Sequence, residues 1–277
     1  MECLVNGQPI DHISVADRGL QYGDGLFETI AVTDCGAEFW DRHMARLKEG
    51  CNRLGIPAPD PEVLEKEAVQ VCPAQGSSVL KISMTRGEGG RGYKSLEPVN
   101  PTRIVAAYPP PSYPGKAWQE GVNVRICQTP LGANPRLAGI KHLNRLEQVL
   151  ARQEWDDDFS EGIMLDSSGN AVEGVMTNLF LVKNSQLYTP DLSNCGVAGI
   201  MRQVILEIAE AFDIRRNIQS IPEAELFQAD EVFLSNSVIG IWPVKRLGEQ
   251  LFNVGCLTQQ ISAEINLRRK TETLSFQ

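Results

Sequence analysis

A proline-rich segment near the middle of the chain constrains the fold more than any other feature. The segment Pro109–Gly115 reads PPPSYPG, so four of its seven residues are proline. Proline has no backbone N–H and a fixed φ, and it therefore neither continues a helix nor pairs inside a central strand. We predict a domain boundary here, between a smaller N-terminal α/β domain (residues 1–112) and a larger C-terminal domain (residues 113–277). Both parts are long enough to bury a core.

Hydrophobic periodicity and turn residues predict a mixed α+β chain. In the N-terminal part, Asn6-Gly7 is typical of a tight hairpin turn, and Ser78–Thr85 is a predicted strand. A helix is predicted from Asp41 to Gly55, because apolar residues recur on one face, and Asp41 is its predicted N-cap. A second helix is predicted to start at Asp60-Pro61, since proline is favoured at the first helical position.

The C-terminal part is predicted to contain both strands and helices. The predicted strands are Val122–Cys127, Glu161–Asp166, Ala171–Glu173, Thr177–Lys183 and Asp230–Ser237. One helix is predicted from Gly199 to about Phe212. Another is predicted from Leu143 onward, and it carries apolar residues at helical spacing at positions 143, 146, 149 and 150.

The glycine-rich segment Gly87–Gly92 formally matches the G-x-G-x-x-G pattern of dinucleotide-binding folds. Such a site needs a helix directly afterwards, because the first N–H groups of that helix bind the phosphates. Pro98 and Pro101 deny this helix, so we reject the dinucleotide interpretation. A flexible loop that presents Arg91 and Tyr93 to a pocket fits better, and a plain exposed turn is the alternative.

Charge and cysteine content exclude several classes of protein. The net charge of −9 and the pI near 5.0 argue against a nucleic-acid-binding surface, which needs a basic field. The seven cysteines are scattered without a C-x-x-C pair, and there are three histidines, so neither a disulfide framework nor a metal site is expected. Because we find no signal peptide and no apolar segment of membrane-spanning length, we expect a cytoplasmic protein without a membrane partner.

The chemistry is predicted to centre on Lys141, which follows the apolar residues Ala138-Gly139-Ile140. A lysine that is partly shielded from water has more of its amine in the neutral form, which attacks carbonyl groups and accepts protons. The commoner alternative, for an arbitrary lysine, is a side chain that extends its charged end into solvent. This stretch alone is a weak signal, and its weight comes from the motifs around it.

Several spaced motifs follow one another along the chain. They are Gly139-Ile140-Lys141-His142-Leu143-Asn144, Val172-Glu173-Gly174, Thr177-Asn178-Leu179-Phe180, Gly199-Ile200-Met201-Arg202 and Asp230–Ser237. Together they resemble the fold-type IV pyridoxal 5′-phosphate (PLP) enzymes, which include branched-chain aminotransferases, D-amino-acid aminotransferases and 4-amino-4-deoxychorismate lyases. The resemblance covers nearly the whole chain. Within the family, the segments 89–93 and 139–147 most resemble the aminodeoxychorismate lyases.

The resemblance implies a two-domain α+β fold with PLP at the domain interface and with Lys141, on the C-terminal domain, as the Schiff-base lysine. Glu173 matches the carboxylate that keeps the pyridine nitrogen of PLP protonated. A helix start and two side chains would bind the 5′-phosphate. Each residue alone has an ordinary structural explanation, and only their joint occurrence favours the functional one. The implied cofactor-binding residues are Arg46, Lys141, Glu173, Asn178, Ile200, Met201 and Ser237.

The resemblance also implies a reaction of folate biosynthesis, in which 4-amino-4-deoxychorismate is converted to 4-aminobenzoate and pyruvate. Lys141 would act as the base. The two carboxylates of this small anionic substrate call for cationic partners, foremost Arg91. The family commonly forms homodimers, so Arg91 could instead belong to the pocket of the neighbouring subunit. The implied substrate-binding residues are Arg91, Tyr93, Glu28, Tyr22 and Arg103.

Two alternatives remain open from the sequence. The first is a D-amino-acid or branched-chain aminotransferase on the same scaffold, which would share every cofactor residue. The second is a non-catalytic binding or regulatory protein that has kept the fold, in which Lys141 would form no covalent bond to an aldehyde.

Overall fold

The computed structural model describes residues 2–34, 36–95, 97–113 and 115–276. The chain divides into two compact units. Unit 1 comprises Met1–Pro111, Lys141–Asn144 and Arg269–Gln277, and unit 2 comprises Ser112–Ile140 and Arg145–Arg268. Two residues named in the sequence analysis, Pro114 of the predicted linker and Cys35 among the cysteines, lie outside the described residues. The predicted division into residues 1–112 and 113–277 stays a prediction.

Unit 1 is built on a six-stranded antiparallel sheet. Its strands are β1 (Glu2–Val5), β2 (Gly25–Thr33), β3 (Gly36–Glu38), β4 (Ser78–Thr85), β5 (Thr102–Tyr108) and β16 (Thr273–Leu274). Its helices are α1 (Arg18–Tyr22), α2 (Trp40–Leu54) and α3 (Pro61–Val71). The strand order is β1-β5-β4-β2-β3-β16. Strand β2 alternates between buried and half-buried residues, as expected for a strand with one face against a core.

Local sequence signals account for most of unit 1. Asn6 and Gly7 take φ values of 51° and 78°, and the residues flanking them exchange backbone hydrogen bonds, which confirms the predicted hairpin turn. The Asp60 side chain accepts a hydrogen bond from the Glu62 backbone N–H, which confirms the predicted start of α3. Strand β4 covers the predicted residues Ser78–Thr85.

The start of α2 differs from the prediction. The helix itself is confirmed, but its N-cap is Phe39, so the prediction of Asp41 as N-cap is wrong. The Phe39 side chain is 1% exposed. Burial of this ring therefore sets where the helix begins, whereas Asp41 lies in the first turn, where its charge favours the helix dipole.

Unit 2 is built on a larger mixed sheet with the order β11-β10-β9-β13-β14-β6-β7-β8-β12, in which β15 pairs with β14. Its strands are β6 (Val122–Ile126), β7 (Glu161–Leu165), β8 (Asn170–Gly174), β9 (Asn178–Lys183), β10 (Gln186–Pro190), β11 (Arg216–Gln219), β12 (Ile221–Pro222), β13 (Glu231–Asn236), β14 (Gly240–Leu247) and β15 (Gln250–Leu251). The predicted strands of this part are confirmed, with boundary shifts of at most one residue at either end.

The sheet of unit 2 closes on itself. Strand β8 pairs with β7 and also with β9, where Glu173 lies opposite Asn178. The strands β8, β9, β13, β14, β6 and β7 therefore form a closed ring of six. Residues such as Ile163, Leu179 and Leu234 have no exposed side-chain surface and belong to the core of this unit. Glu173 and Asn178 consequently lie on two neighbouring strands of this ring.

The helices after the linker are α4 (Ala117–Glu120), α5 (Leu146–Arg152), α6 (Ile200–Ala211), α7 (Glu223–Leu226) and α8 (Cys256–Thr271), the last of which ends in unit 1. Helix α6 confirms the helix predicted from Gly199 to about Phe212. None of the helices in the described part of the chain combines the length and apolar character that crossing a bilayer requires.

Helix α5 departs most from the sequence prediction. It begins at Leu146 and not at Leu143, because residues 141–143 run along the start of β2. There the Phe27 N–H donates to the Lys141 carbonyl, and the Leu143 N–H donates to the Gly25 carbonyl. The predicted apolar face is also not buried within the chain, since Leu146 is 76% exposed and the leucine at position 150 is 54% exposed.

Candidate functional site

Lys141 lies in an extended segment beside β2 of unit 1 and is half-buried. Its carbonyl accepts a hydrogen bond of 2.9 Å from the Phe27 N–H. Its Nζ atom lies 4.4 Å from the centroid of the Phe27 ring. An apolar ring beside the amine limits access of water to it. The position therefore combines partial shielding with a backbone that is fixed by the sheet.

A buried cluster of charged groups lies next to this segment in sequence, on β2 and α2. Glu28 directly follows Phe27 and is 1% exposed. Arg46 binds it with two donors, Nε at 2.8 Å from Oε1 and Nη2 at 2.5 Å from Oε2. The His43 Nδ1 atom lies 2.6 Å from the same Oε2 atom. The three side chains form one network because residues 43 and 46 share a face of α2.

The electrostatics of this cluster follow from its burial. Burial alone would raise the pKa of Glu28, but the charge of Arg46 and the hydrogen bonds from Arg46 and His43 outweigh it and lower the pKa to about 2. Burial also lowers the pKa of His43, against the opposite effect of Glu28. Glu28 is consequently an anion that holds the Arg46 guanidinium in one orientation. The sequence assigned Arg46 to the cofactor and Glu28 to the substrate. In the structure the two side chains are hydrogen-bonded to each other.

In unit 2, Glu173 and Asn178 hold the same peptide segment. Glu173 is 4% exposed, and its Oε2 atom accepts a hydrogen bond of 2.8 Å from the Val197 N–H. The Asn178 amide donates to the Val197 carbonyl at 2.9 Å. Gly199, two residues later, approaches Asn178 so closely that a Cβ atom would collide with its side-chain oxygen. Glu173 and Asn178 thus fix the chain that leads into α6.

The start of α6 carries Ile200 and Met201 as its first residues. Its N-cap is Gly199, which provides no side-chain cap. The first N–H groups of a helix have no acceptor within the helix, and together with the dipole they favour an anion. Ser237 lies in the turn after β13 and is half-buried. The preceding Asn236 caps this turn, since its Oδ1 atom accepts hydrogen bonds from the N–H groups of residues 238 and 239.

Glu161 was not identified from the sequence. It is 1% exposed, and its carboxylate accepts hydrogen bonds from the N–H groups of Gly162 and Met176 and from the Thr177 hydroxyl. Burial raises its pKa to about 7 in spite of these hydrogen bonds. The residue holds the turn at positions 174–177, which joins Glu173 to Asn178. Its position at the start of a predicted strand was the only sequence signal available.

The loop that carries Arg91 and Tyr93 has the form expected. In the described residues between β4 and β5 the chain forms no helix, as expected from Pro98 and Pro101. Arg91 is exposed, and Tyr93 is 88% exposed. The Tyr22 ring lies 5.6 Å from the Tyr93 ring, edge to face, and the Tyr22 hydroxyl accepts a hydrogen bond from the Gly92 N–H. The structure thus brings Tyr22 to this loop.

Arg103 is placed differently. Its guanidinium donates to both carboxylate oxygens of Glu67, at 2.6 Å and 2.5 Å, and Glu67 is a buried residue of α3. This pair fastens α3 to β5. These contacts support a structural role for Arg103, and its role in substrate binding stays a prediction.

Comparisons with known proteins agree on the family of this chain. The model of the family described as "Amino-transferase class IV" matches residues 25–247. Aminodeoxychorismate lyase from Vibrio harveyi is 36% identical over 270 residues, covering 95% of this chain and 98% of the relative. The crystal structure of 4-amino-4-deoxychorismate lyase from Pseudomonas aeruginosa is 49% identical, with a TM-score of 0.92, over 97% of this chain and 99% of that chain.

A transaminase is also among the similar proteins. A putative branched-chain-amino-acid aminotransferase from Methanocaldococcus jannaschii is 30% identical over 274 residues, covering 94% of this chain and 94% of the relative. Lyases and aminotransferases thus share this scaffold, as the resemblance of the motifs implied. The chain belongs to the aminotransferase class IV family.

Proposed function

We propose that the protein is a PLP-dependent aminodeoxychorismate lyase, which converts 4-amino-4-deoxychorismate to 4-aminobenzoate and pyruvate. The observation that carries the proposal is the similarity to two lyases over almost the full length of the chain, at 36% and 49% identity. The putative branched-chain-amino-acid aminotransferase is less similar, at 30% identity. The proposal places the enzyme in folate biosynthesis.

The residues present fit PLP. The cofactor presents an aldehyde, a pyridine nitrogen and a phosphate, which call for an amine, a carboxylate and a set of N–H donors. Lys141 offers a half-buried amine beside an apolar ring, and Glu173 offers a buried carboxylate. The helix start at Ile200, without a side-chain cap, is suited to a phosphate. We assign Arg46 and Ser237 to the phosphate as well, and Asn178 to the support of Glu173.

The chemistry of the proposed reaction needs a base and an acid. PLP, when bound, supplies an electron sink for the pair of electrons that remains when a proton is removed. Lys141 removes the proton from the ring carbon that bears the amine. The bond from the neighbouring carbon to the enolpyruvyl oxygen then breaks, and the ring becomes aromatic. The leaving enolpyruvate takes up a proton, from Lys141 or from a water it holds, and becomes pyruvate.

The proposal assigns the substrate carboxylates to the loop at Arg91. An arginine binds a carboxylate with two parallel hydrogen bonds, and Tyr93 adds a hydroxyl donor. Both side chains are exposed on a loop whose backbone is held in place, as described above. Tyr22 supports this loop. Glu28 acts on the proposed site through Arg46, because both of its oxygens are bound by Arg46 or His43.

We also propose that the enzyme is a cytoplasmic homodimer. The apolar face of α5, formed by Leu146, Val149 and Leu150, is about half exposed or more. Apolar side chains that cluster on one exposed helix face are typical of a subunit interface. The six cysteines of the described residues are all free thiols, as expected in a reducing compartment.

Product analysis tests the activity. The purified enzyme, loaded with PLP, is mixed with aminodeoxychorismate in the absence of any keto acid. We expect 4-aminobenzoate and pyruvate in equal amounts. An aminotransferase would instead need a keto acid to turn over repeatedly, so the same assay separates the two functions. Absence of both products would contradict the proposal.

A pair of lysine variants tests the role of Lys141. Lys81 is a matched control, since its Nζ atom lies 5.3 Å from the centroid of the same Phe27 ring. We expect Lys141→Ala to abolish turnover and the absorption band of the covalent lysine–cofactor bond, whereas Lys81→Ala retains the band. In the wild type, borohydride should remove the band and fix the cofactor to the protein. Absence of the band from the PLP-loaded wild type would support the non-catalytic alternative, and an unchanged band in Lys141→Ala would contradict the role of Lys141.

A further inference from the structure

Arg18, the first residue of α1, is a buried cation whose donors point at the loop that carries Arg91 and Tyr93. It is 4% exposed. Its Nε atom donates to Asp24 Oδ2 at 2.9 Å. Its Nη1 atom donates to the Gly92 carbonyl at 2.9 Å, and its Nη2 atom donates to the Tyr93 carbonyl at 3.0 Å. The guanidinium thus connects one carboxylate with two consecutive carbonyl groups of the loop.

Further contacts show that the loop is built around this side chain. The Arg18 guanidinium carbon lies 4.9 Å from the centroid of the Tyr22 ring. The Tyr22 hydroxyl accepts a hydrogen bond of 3.1 Å from the Gly92 N–H. At Gly89, a Cβ atom would lie 2.7 Å from Arg18 Cδ, so a larger residue there would displace the Arg18 side chain. The loop is therefore held by its backbone, which leaves the Arg91 and Tyr93 side chains available.

We propose that Arg18 is the positioning residue of the substrate loop. It fixes the backbone at Gly92 and Tyr93, and it thereby sets where the side chains of Arg91 and Tyr93 meet the carboxylates of the substrate. This inference rests on the proposed lyase function. Because the planar fork of arginine supplies three directed donors at once, the single ammonium group of lysine cannot replace it.

The chain offers a matched control in Arg86. This residue donates to the same Asp24 Oδ2 atom, at 2.8 Å, but its other donors bind the Leu54 and Gly55 carbonyls at the end of α2. Arg18 and Arg86 therefore share an anionic partner and differ in what else they hold. A general effect of weakening the Asp24 network should appear in both variants, whereas an effect on the loop should appear only at Arg18.

The experiment compares Arg18→Lys and Arg86→Lys in the PLP-loaded enzyme. We expect Arg18→Lys to raise the KM for aminodeoxychorismate about tenfold or more, as the loss of hydrogen bonds to a charged group implies. PLP affinity and the absorption spectrum should stay unchanged. Amide hydrogen exchange at residues 89–93 should become faster in Arg18→Lys and not in Arg86→Lys. Gly89→Ala, which pushes on the Arg18 side chain, should reproduce both changes.

Each outcome decides one point. An unchanged KM in Arg18→Lys, with a wild type that is active, would overturn the proposal. Equal acceleration of exchange in both arginine variants would also overturn it, because the effect would then belong to the Asp24 network. A wild type that forms no 4-aminobenzoate would overturn the proposed function, and with it the substrate part of this inference. Hydrogen exchange would still decide whether Arg18 holds the loop.

Discussion

At the scale of single residues, the groups that we propose for PLP binding depend on partners in other parts of the chain. Arg46 is oriented by Glu28, and the turn between Glu173 and Asn178 is held by Glu161. Both supporting carboxylates are 1% exposed, yet their pKa values move in opposite directions. Glu28 has a cation beside it, whereas Glu161 is surrounded by neutral donors. This difference gives two predictions of opposite sign.

Ionised Glu28 stabilises the folded protein, and this contribution is lost in acid. Glu28→Gln should remove it at every pH. The folded-state pKa of Glu28 is lowered from 4.5 to about 2, so its contribution is present above pH 4.5 and disappears as the pH falls towards 2. At pH 6 the variant should be less stable than the wild type by roughly 3 kcal/mol, and by much less at pH 3. Urea unfolding at both pH values measures this. A difference that does not depend on pH would contradict the assignment.

The wild type should become less stable as the pH rises, because Glu161 becomes charged in a buried site. Glu161→Gln should not show this decrease. The folded-state pKa of Glu161 is raised from 4.5 to about 7, so the protonated form stabilises the fold below pH 4.5 and this contribution is lost as the pH passes 7. Between pH 5 and pH 8 the wild type should lose roughly 2–3 kcal/mol more than the variant. Glu154→Gln is the control, because the pKa of Glu154 is lowered. Equal pH profiles of the wild type and Glu161→Gln would refute the prediction.

The sequence points to residues whose chemistry is distinctive, but it does not predict which side chains pair with one another. Lys141 and Glu173 stand in motifs, and motifs are local. The pairing of Glu28 with Arg46 requires β2 and α2 to be packed together, and no local pattern encodes that contact. A signal did exist for His43, since it lies three residues before Arg46 and therefore on the same helix face.

At the scale of helices and strands, local rules succeed where the local chain decides the outcome. The start of α3 is set by a polar cap at Asp60, and the sequence predicts it correctly. The start of α2 is set by burial of Phe39, which depends on tertiary packing, and the sequence prediction fails there. The predicted start of α5 is wrong for a related reason, because residues 141–143 are hydrogen-bonded to β2.

Two aspartate variants test this account of the helix starts. Asp60→Ala removes the side-chain acceptor of the Glu62 N–H and should cost about 1 kcal/mol of unfolding free energy. Asp41→Ala removes only a charge in the first turn of α2 and should cost about 0.3–0.5 kcal/mol. Chemical denaturation of both variants provides the comparison. A larger cost for Asp41→Ala would mean that its side chain caps α2 after all.

At the scale of the whole molecule, the order of the motifs along the chain was enough to recognise the family. It was not enough to predict the order of the strands in the two sheets. Strands β6 and β14 are parallel neighbours although about 120 residues separate them, and β1 pairs with β5 across a similar gap of about 100 residues. Such pairings follow from the burial of the complete set of apolar faces. They cannot be deduced from any one segment of the sequence.

Disruption of the exposed face of α5 should change the oligomeric state. Val149 is 49% exposed on this face, and Val149→Lys should shift the proposed dimer towards the monomer by burying an unpaired charge at the interface. Leu251, which is 70% exposed on β15, provides the control variant Leu251→Lys. Analytical ultracentrifugation over a range of concentrations measures the shift. Identical sedimentation of the two variants and the wild type would argue against an interface on α5.

Strands β8 and β9 are paired only through Glu173 and Asn178, and this limits where the chain can change in length. Only three residues, 175–177, separate β8 from β9, and the acid assigned to the pyridine nitrogen stands at that junction. An insertion there would open the ring of strands and displace the carboxylate in the same event. Length changes should therefore be tolerated at outer turns such as Asn184-Ser185 and not at this one, which makes the junction a poor place for grafting a peptide or opening new termini.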